Sequence, residues 1–118
     1  MPSQIMTDSE LEKLFSALGN QLRLQILDLV AQHKEMCVCE LVDELGMSQA
    51  NVSHHTGILR DADLVEARKV GTWVFYRVNS EPLKSALTTI VGRLRTSLAQ
   101  AADEDPEARV AARCGLPE

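Results

Sequence analysis

The stretch Val38-Cys-Glu-Leu-Val-Asp-Glu-Leu-Gly-Met-Ser-Gln-Ala-Asn-Val-Ser-His-His-Thr-Gly-Ile-Leu59 divides at Gly46 into two helical patterns. Before the glycine, Val38, Leu41, Val42 and Leu45 form a narrow apolar stripe at steps of one, three and four residues, and Gly46 stops it. After a single intervening residue, Ser48 offers a cap for a second helix whose inner face is Val52, Thr56 and Leu59. Two short helices joined by a glycine-containing turn of three or four residues make a helix-turn-helix.

Working back toward the N-terminus, Thr7 and Glu10 have the spacing of a capping box, and Leu11, Leu14, Phe15 and Leu18 follow as a helical stripe ending near Gly19. Asn20 caps a second helix that carries Leu22, Ile26, Leu29 and Val30 and ends at Gln32-His33-Lys34. Residues between there and Val38 read as a short polar link.

Working forward from Leu64, the period changes to alternation, and Trp73-Val-Phe-Tyr-Arg-Val78 is rich in β formers. With Gly71 between them, the two runs predict a hairpin, the wing, whose tip is approached by Arg68 and Lys69. Ser80 is then expected to cap a fifth helix, with Pro82 in its first turn and Leu83, Leu87, Ile90, Leu94 and Leu98 on its faces. Asp103-Glu-Asp-Pro106 breaks the pattern. The chain therefore reads as a mainly helical α+β winged helix-turn-helix, ααααββα, over residues 1–102, followed by a flexible tail over 103–118.

The 118 residues suit one fold unit, and 45% hydrophobic with 25% charged residues excludes a disordered chain. No apolar run reaches the ~20 residues that a membrane span needs, and the N-terminus lacks the pattern of a signal peptide. A cytoplasmic protein without membrane contact is expected. The net charge of −5 is not uniform: residues 1–49 carry −5 and 98–118 carry −3, whereas 50–80 and 81–97 carry +1 and +2. Only the middle of the chain can face a phosphate backbone without repulsion.

On the second helix of the motif, Ala50, Ser53, His54 and Gly57 turn outward, with Asn51 at the margin. Such small and hydrogen-bonding side chains fit a major groove, where Gln and Asn read adenine and Ser gives or accepts one bond. Ser48, Gln49, Asn51, Ser53 and His54 are the candidate base-facing set, and Arg60, Arg68, Lys69 and Arg77 the candidate phosphate contacts. The aliphatic stripes of the first and fifth helices exceed what one small core covers, so a homodimer through these two helices is expected, with double-stranded operator DNA as the partner.

Residues 47–65, Met-Ser-Gln-Ala-Asn-Val-Ser-His-His-Thr-Gly-Ile-Leu-Arg-Asp-Ala-Asp-Leu-Val, followed by Gly71-Thr-Trp-Val-Phe-Tyr-Arg-Val78, strongly resemble the ArsR/SmtB family of metal-responsive repressors. The likeness extends over about residues 8–100. It implies a dimer on an imperfectly palindromic operator, released when an inducer binds. Thr56 and Gly57 differ from the leucine and larger polar residue of the family pattern. Cys37-Val38-Cys39 resembles the Cys-Val-Cys of arsenite-responsive members, which implies As(III) or Sb(III) as inducer, with Cd(II) or Pb(II) as other thiophilic ions.

In a regular helix Cys37 and Cys39 would lie about 100° to either side of Val38, so one ion reaches both only if the first turn bends. The helix N-terminus lowers a thiol pKa, and the Glu40 charge opposes it. Some family members carry a third cysteine where this chain has Val42; Cys114 either completes a three-thiolate site or is incidental to the tail. The alternative sensor is redox, with Cys37 or Cys39 pairing with Cys114 as a disulfide or forming a persulfide. His33, His54 and His55 lack neighbouring ligands, and the fifth helix has no His and no acid after Glu81, which disfavours an interhelical zinc site. An enzyme is not expected: Cys-x-Cys lacks oxidoreductase spacing, and no phosphate loop or nucleophile elbow accompanies it. No cofactor is needed for folding.

Overall fold

The computed structural model describes residues 5–115. Among them, the chain runs through α1 (Asp8–Leu18), α2 (Gln21–His33), β1 (Met36–Cys37), α3 (Val38–Leu45), α4 (Gln49–Asp61), β2 (Val65–Val70), β3 (Trp73–Val78), α5 (Glu81–Gln100) and α6 (Pro106–Cys114). The winged helix-turn-helix read from the sequence is present, with two added elements.

The caps are where the local chemistry puts them. Thr7 Oγ1 accepts from Glu10 N at 3.1 Å, while Glu10 Oε1 accepts from Thr7 N at 2.9 Å, closing the capping box of α1. Asn20 Oδ1 accepts from Arg23 N at 3.1 Å at the start of α2. Gly46 ends α3 at φ 63°, ψ 35°, a left-handed geometry that costs a glycine little, and its N–H donates to Val42 O. At α5 the expectation fails in detail. The Ser80 side chain makes no capping bond; Asn79 Oδ1 accepts from Glu81 N at 3.4 Å instead.

The core gathers Leu11, Leu14 and Ala17 of α1, Ile26 and Val30 of α2, Leu41 of α3, Val52 and Leu59 of α4, and Ala86 of α5 around Leu64 and Tyr76. Each large aliphatic side chain so enclosed contributes ~1.5–3 kcal/mol. Thr56 belongs to this core: it is 1% exposed, and its hydroxyl donates to Ser53 O at 3.2 Å. The departure at Thr56 is therefore absorbed without leaving a buried polar atom unpaired.

In the wing, β2 and β3 pair antiparallel from Val65↔Val78 to Val70↔Trp73, leaving Gly71 and Thr72 as a two-residue loop. Gly71 has φ 61°, the positive value that such a loop demands at its first position. The link before Val38 is not a polar loop: Met36 and Cys37 form β1, which pairs antiparallel with β3, giving the sheet order β1-β3-β2. The stretch 103–118, read as a flexible tail, carries α6, capped by Asp105, whose carboxylate accepts from Glu107 N and Ala108 N. None of the described helices is long and apolar enough to cross a membrane.

Candidate nucleic-acid interface and thiol pair

The exposed face of α4 carries Gln49, Ala50, Asn51, Ser53 and His54, as the helical period requires. Ser48 is partly committed elsewhere, because its Oγ caps α4 by accepting from Asn51 N at 3.1 Å. His55, one position on, is tied inward: Arg23 Nη1 donates to its Nδ1 at 3.1 Å. Arg23 has no hydrogen-bond acceptor to offer, so the ring is neutral and carries its proton on Nε2. Desolvation first, then the charges of Arg23 and His54, hold the His55 pKa below its ordinary value. The same Arg23 donates through Nε to Ala17 O at 2.7 Å, so one guanidinium ties the end of α1 to α4.

The basic candidates divide by their partners. Arg68 makes a bidentate pair with Glu35, at 2.7 Å and 3.0 Å, and its guanidinium lies 5.1 Å from the Phe75 ring centroid. The hydrogen bond from Arg68 keeps the Glu35 carboxyl below the usual carboxylate range. Arg77 pairs with Glu66 directly across the hairpin, at 2.9 Å, and Arg60 lies 3.9 Å from Asp61. Among the described residues, Lys69 is exposed with no carboxylate in ion-pair range. Glu35 and Glu66 were missed as modulators of the wing. The Glu66 pairing follows once the hairpin register is known, whereas Glu35 is 33 residues from Arg68 and leaves no local signal.

The two cysteines are arranged differently from a regular helix. Cys37 sits in β1 as the N-cap residue of α3, with extended φ −74°, ψ 150°, and its N–H donates to Glu40 Oε1 at 2.9 Å. The chain turns into the helix only after Cys37, so the 100° separation does not apply. The Cys39 thiol donates to Cys37 Sγ at 2.8 Å. No unwinding is needed to bring the sulfurs together; the bend is already there. Cys37 is buried and Cys39 exposed. This proton sharing raises the Cys39 pKa, with desolvation adding to it, against the lowering expected from the helix N-terminus. Cys114 is exposed at the end of α6, and among the described residues no group of three metal-holding side chains forms within the chain.

The thiol pair opens onto a groove of about 390 Å³ between the start of α3, the first turns of α4 and the wing. Gln49 and Ser53 line its α4 side, and Trp73 and Tyr76 its wing side. The candidate sensor and part of the candidate base-facing surface therefore share one groove.

Residues 20–67 match the bacterial regulatory protein, arsR family. An HTH-type transcriptional regulator of Methanocaldococcus jannaschii is 42% identical over 78 residues, covering 66% of this chain and 88% of that protein. The arsenical resistance operon repressor of Bacillus subtilis is 37% identical over 86 residues, covering 70% of this chain and 82% of that protein. The homodimeric winged helix-turn-helix DNA-binding domain of a possible ArsR-family regulator from Mycobacterium bovis superposes with TM-score 0.60 at 32% identity, covering 79% of this chain and 91% of that domain.

Proposed function

Since the chain belongs to the arsR family of bacterial regulatory proteins, DNA-binding transcriptional regulators and not enzymes, we propose that it is a homodimeric repressor that leaves its operator when As(III) or Sb(III) joins Cys37 to Cys39. The observation that carries this reading is the 2.8 Å approach of the two sulfurs. Thiolates select soft ions, and a pair already in register needs little reorganisation to bind one.

DNA engages the exposed face of α4 and the wing. The dimer forms through α1 and α5, since α5 turns Leu83, Ala86 and Ile90 toward the core and leaves Leu87, Val91, Leu94 and Leu98 exposed. Phe15 of α1 adds to the uncovered apolar surface.

Ligation reaches the DNA-facing elements by two short routes. Cys37 pairs with Phe75 of β3, and Phe75 stacks on Trp73 and underlies Arg68, so displacing β1 displaces the wing. Cys39 lies in the first turn of α3, so pulling it tilts α3 against α4. A coupling of ~1–3 kcal/mol, about 5–150-fold in affinity, suffices for induction.

The test is release of labelled upstream DNA from the reduced full chain, followed by anisotropy, on titration with arsenite, antimonite, cadmium, lead and zinc. Arsenite or antimonite is expected to act at the lowest concentration. Cys39→Ser keeps DNA binding and loses release, and Cys37→Ser loses release with some loss of stability, because Cys37 is buried. If both variants still leave DNA at wild-type arsenite concentrations, the site is wrong.

The same sulfur approach favours a second reading, a redox switch closed between Cys37 and Cys39. Peroxide takes two electrons and the two thiol protons, leaving a disulfide and water. Release by peroxide without metal, with loss of two hydrogens from the peptide holding both cysteines, identifies that case.

A further inference from the structure

Trivalent arsenic makes three bonds, and the structure supplies two sulfurs. Within one chain no third thiol, imidazole or carboxylate among the described residues completes a group around them. The third valence therefore points away from the thiols, toward whatever lines the groove.

That lining is not built for a hydroxide alone. Val38, Val74 and the aromatic side chains of Trp73 and Tyr76 border the groove beside the two cysteines, and the polar Gln49, Ser53 and Thr72 complete its lining. Its volume of about 390 Å³ lies within the ~300–1,000 Å³ of small-molecule pockets. A single arsenic atom with one hydroxyl leaves most of that space to water. Trp73 is 56% exposed and stacks on Phe75 at 6.4 Å between ring centroids. It thus presents a large apolar surface that the protein itself leaves uncovered.

We infer that the groove takes trivalent arsenicals bearing one aryl or alkyl substituent, with arsenic bonded to Cys37 and Cys39 and the carbon group against Trp73 and Tyr76. This rests on the dithiol reading above and names its ligand class. An R–As(OH)₂ compound loses both hydroxides. Two As–O bonds break, two As–S bonds form, and the two thiol protons leave with the hydroxides as two waters. Arsenic remains trivalent, so no oxidant or reductant is required.

Trivalent arsenic keeps a lone pair, which closes its bond angles to about 100°, so with As–S bonds of about 2.3 Å, close to those of zinc thiolates, the two sulfurs lie roughly 3.5 Å apart and the pair must open by about 0.7 Å. Cys39, being exposed, can rotate by that amount while Cys37 stays fixed in β1.

The experiment measures protection of the thiols of the reduced full chain by phenylarsine oxide and by arsenite, in wild type, Trp73→Ala and Trp73→Phe. Quenching of Trp73, the one tryptophan of the sequence, gives an independent readout in wild type. Phenylarsine oxide should bind one per chain and more tightly than arsenite. Its advantage should fall about tenfold in Trp73→Ala and return in Trp73→Phe, with arsenite affinity unchanged throughout. An advantage that survives Trp73→Ala, or arsenite binding as tightly as the phenyl compound, overturns the inference and leaves the dithiol sensor standing. Failure of both compounds to protect the thiols overturns both.

Discussion

Glu35→Gln provides the sharpest test of how the wing meets DNA. In the free protein the Arg68 guanidinium is held by Glu35 through two bonds of 2.7 Å and 3.0 Å, so the pair as a unit offers no net charge to a phosphate. Gln keeps the shape and one acceptor but removes the negative charge, freeing one positive charge per subunit and two per dimer. Each newly neutralised phosphate steepens the slope of log K against log salt by about 0.9, so the dimer slope should steepen by up to ~1.8. At ~0.1 M salt each contact contributes about 0.9 log unit, roughly eightfold, and two give up to ~60-fold tighter binding to any sequence. Anisotropy titrations of operator and random DNA over ~0.05–0.3 M salt read the slope directly. Arg68→Ala alone should bind more weakly than the double variant with Glu35→Gln, because the single change leaves the carboxylate uncompensated. A Glu35→Gln slope equal to that of wild type would mean that Arg68 does not lie on the backbone, and the wing assignment would fall.

Leu94→Glu should weaken the dimer: Leu94 is 56% exposed, so closing it in a two-fold interface is worth ~1 kcal/mol per copy, and losing both costs about 30-fold in dimer dissociation constant by sedimentation equilibrium; an unchanged constant would move the interface off α5. For His55 the sign follows from its depressed pKa: the folded state binds fewer protons than the unfolded one, so its contribution is complete above the ordinary value of 6.5 and is lost as pH falls through the lower folded value. NMR titration should show His55 protonating below the ordinary value of 6.5, and Arg23→Ala should raise its midpoint; a midpoint that Arg23→Ala leaves unmoved would refute the Arg23 tie.

Much of this molecule is local in origin. The capping box at Thr7 and Glu10, the Asn20 and Ser48 caps, the left-handed turn at Gly46 and the alternating wing each rest on residues within a few positions of one another. Single-chain periodicity therefore reveals them. The inner face of α4 was legible for the same reason, and with it the outward set from Gln49 to His54.

What was illegible depends on partners far along the chain. Two residues have no period, so β1 exists only because β3 offers Met36 and Cys37 an open edge. The neutralisation of Arg68 depends on Glu35, brought opposite it by that same strand order. The tail helix α6 is a local element in which the acidic run before Pro106 was read as a break, although Asp105 serves as its cap.

The sequence by itself determined the winged helix-turn-helix, the outward face of α4 and the presence of two cysteines one residue apart, because spacing along a helix or strand is a property of adjacent residues. Whether those cysteines diverge or meet was decided by tertiary structure. Pairing with β3 holds Cys37 extended, so its sulfur leaves the helical register and comes to rest against that of Cys39.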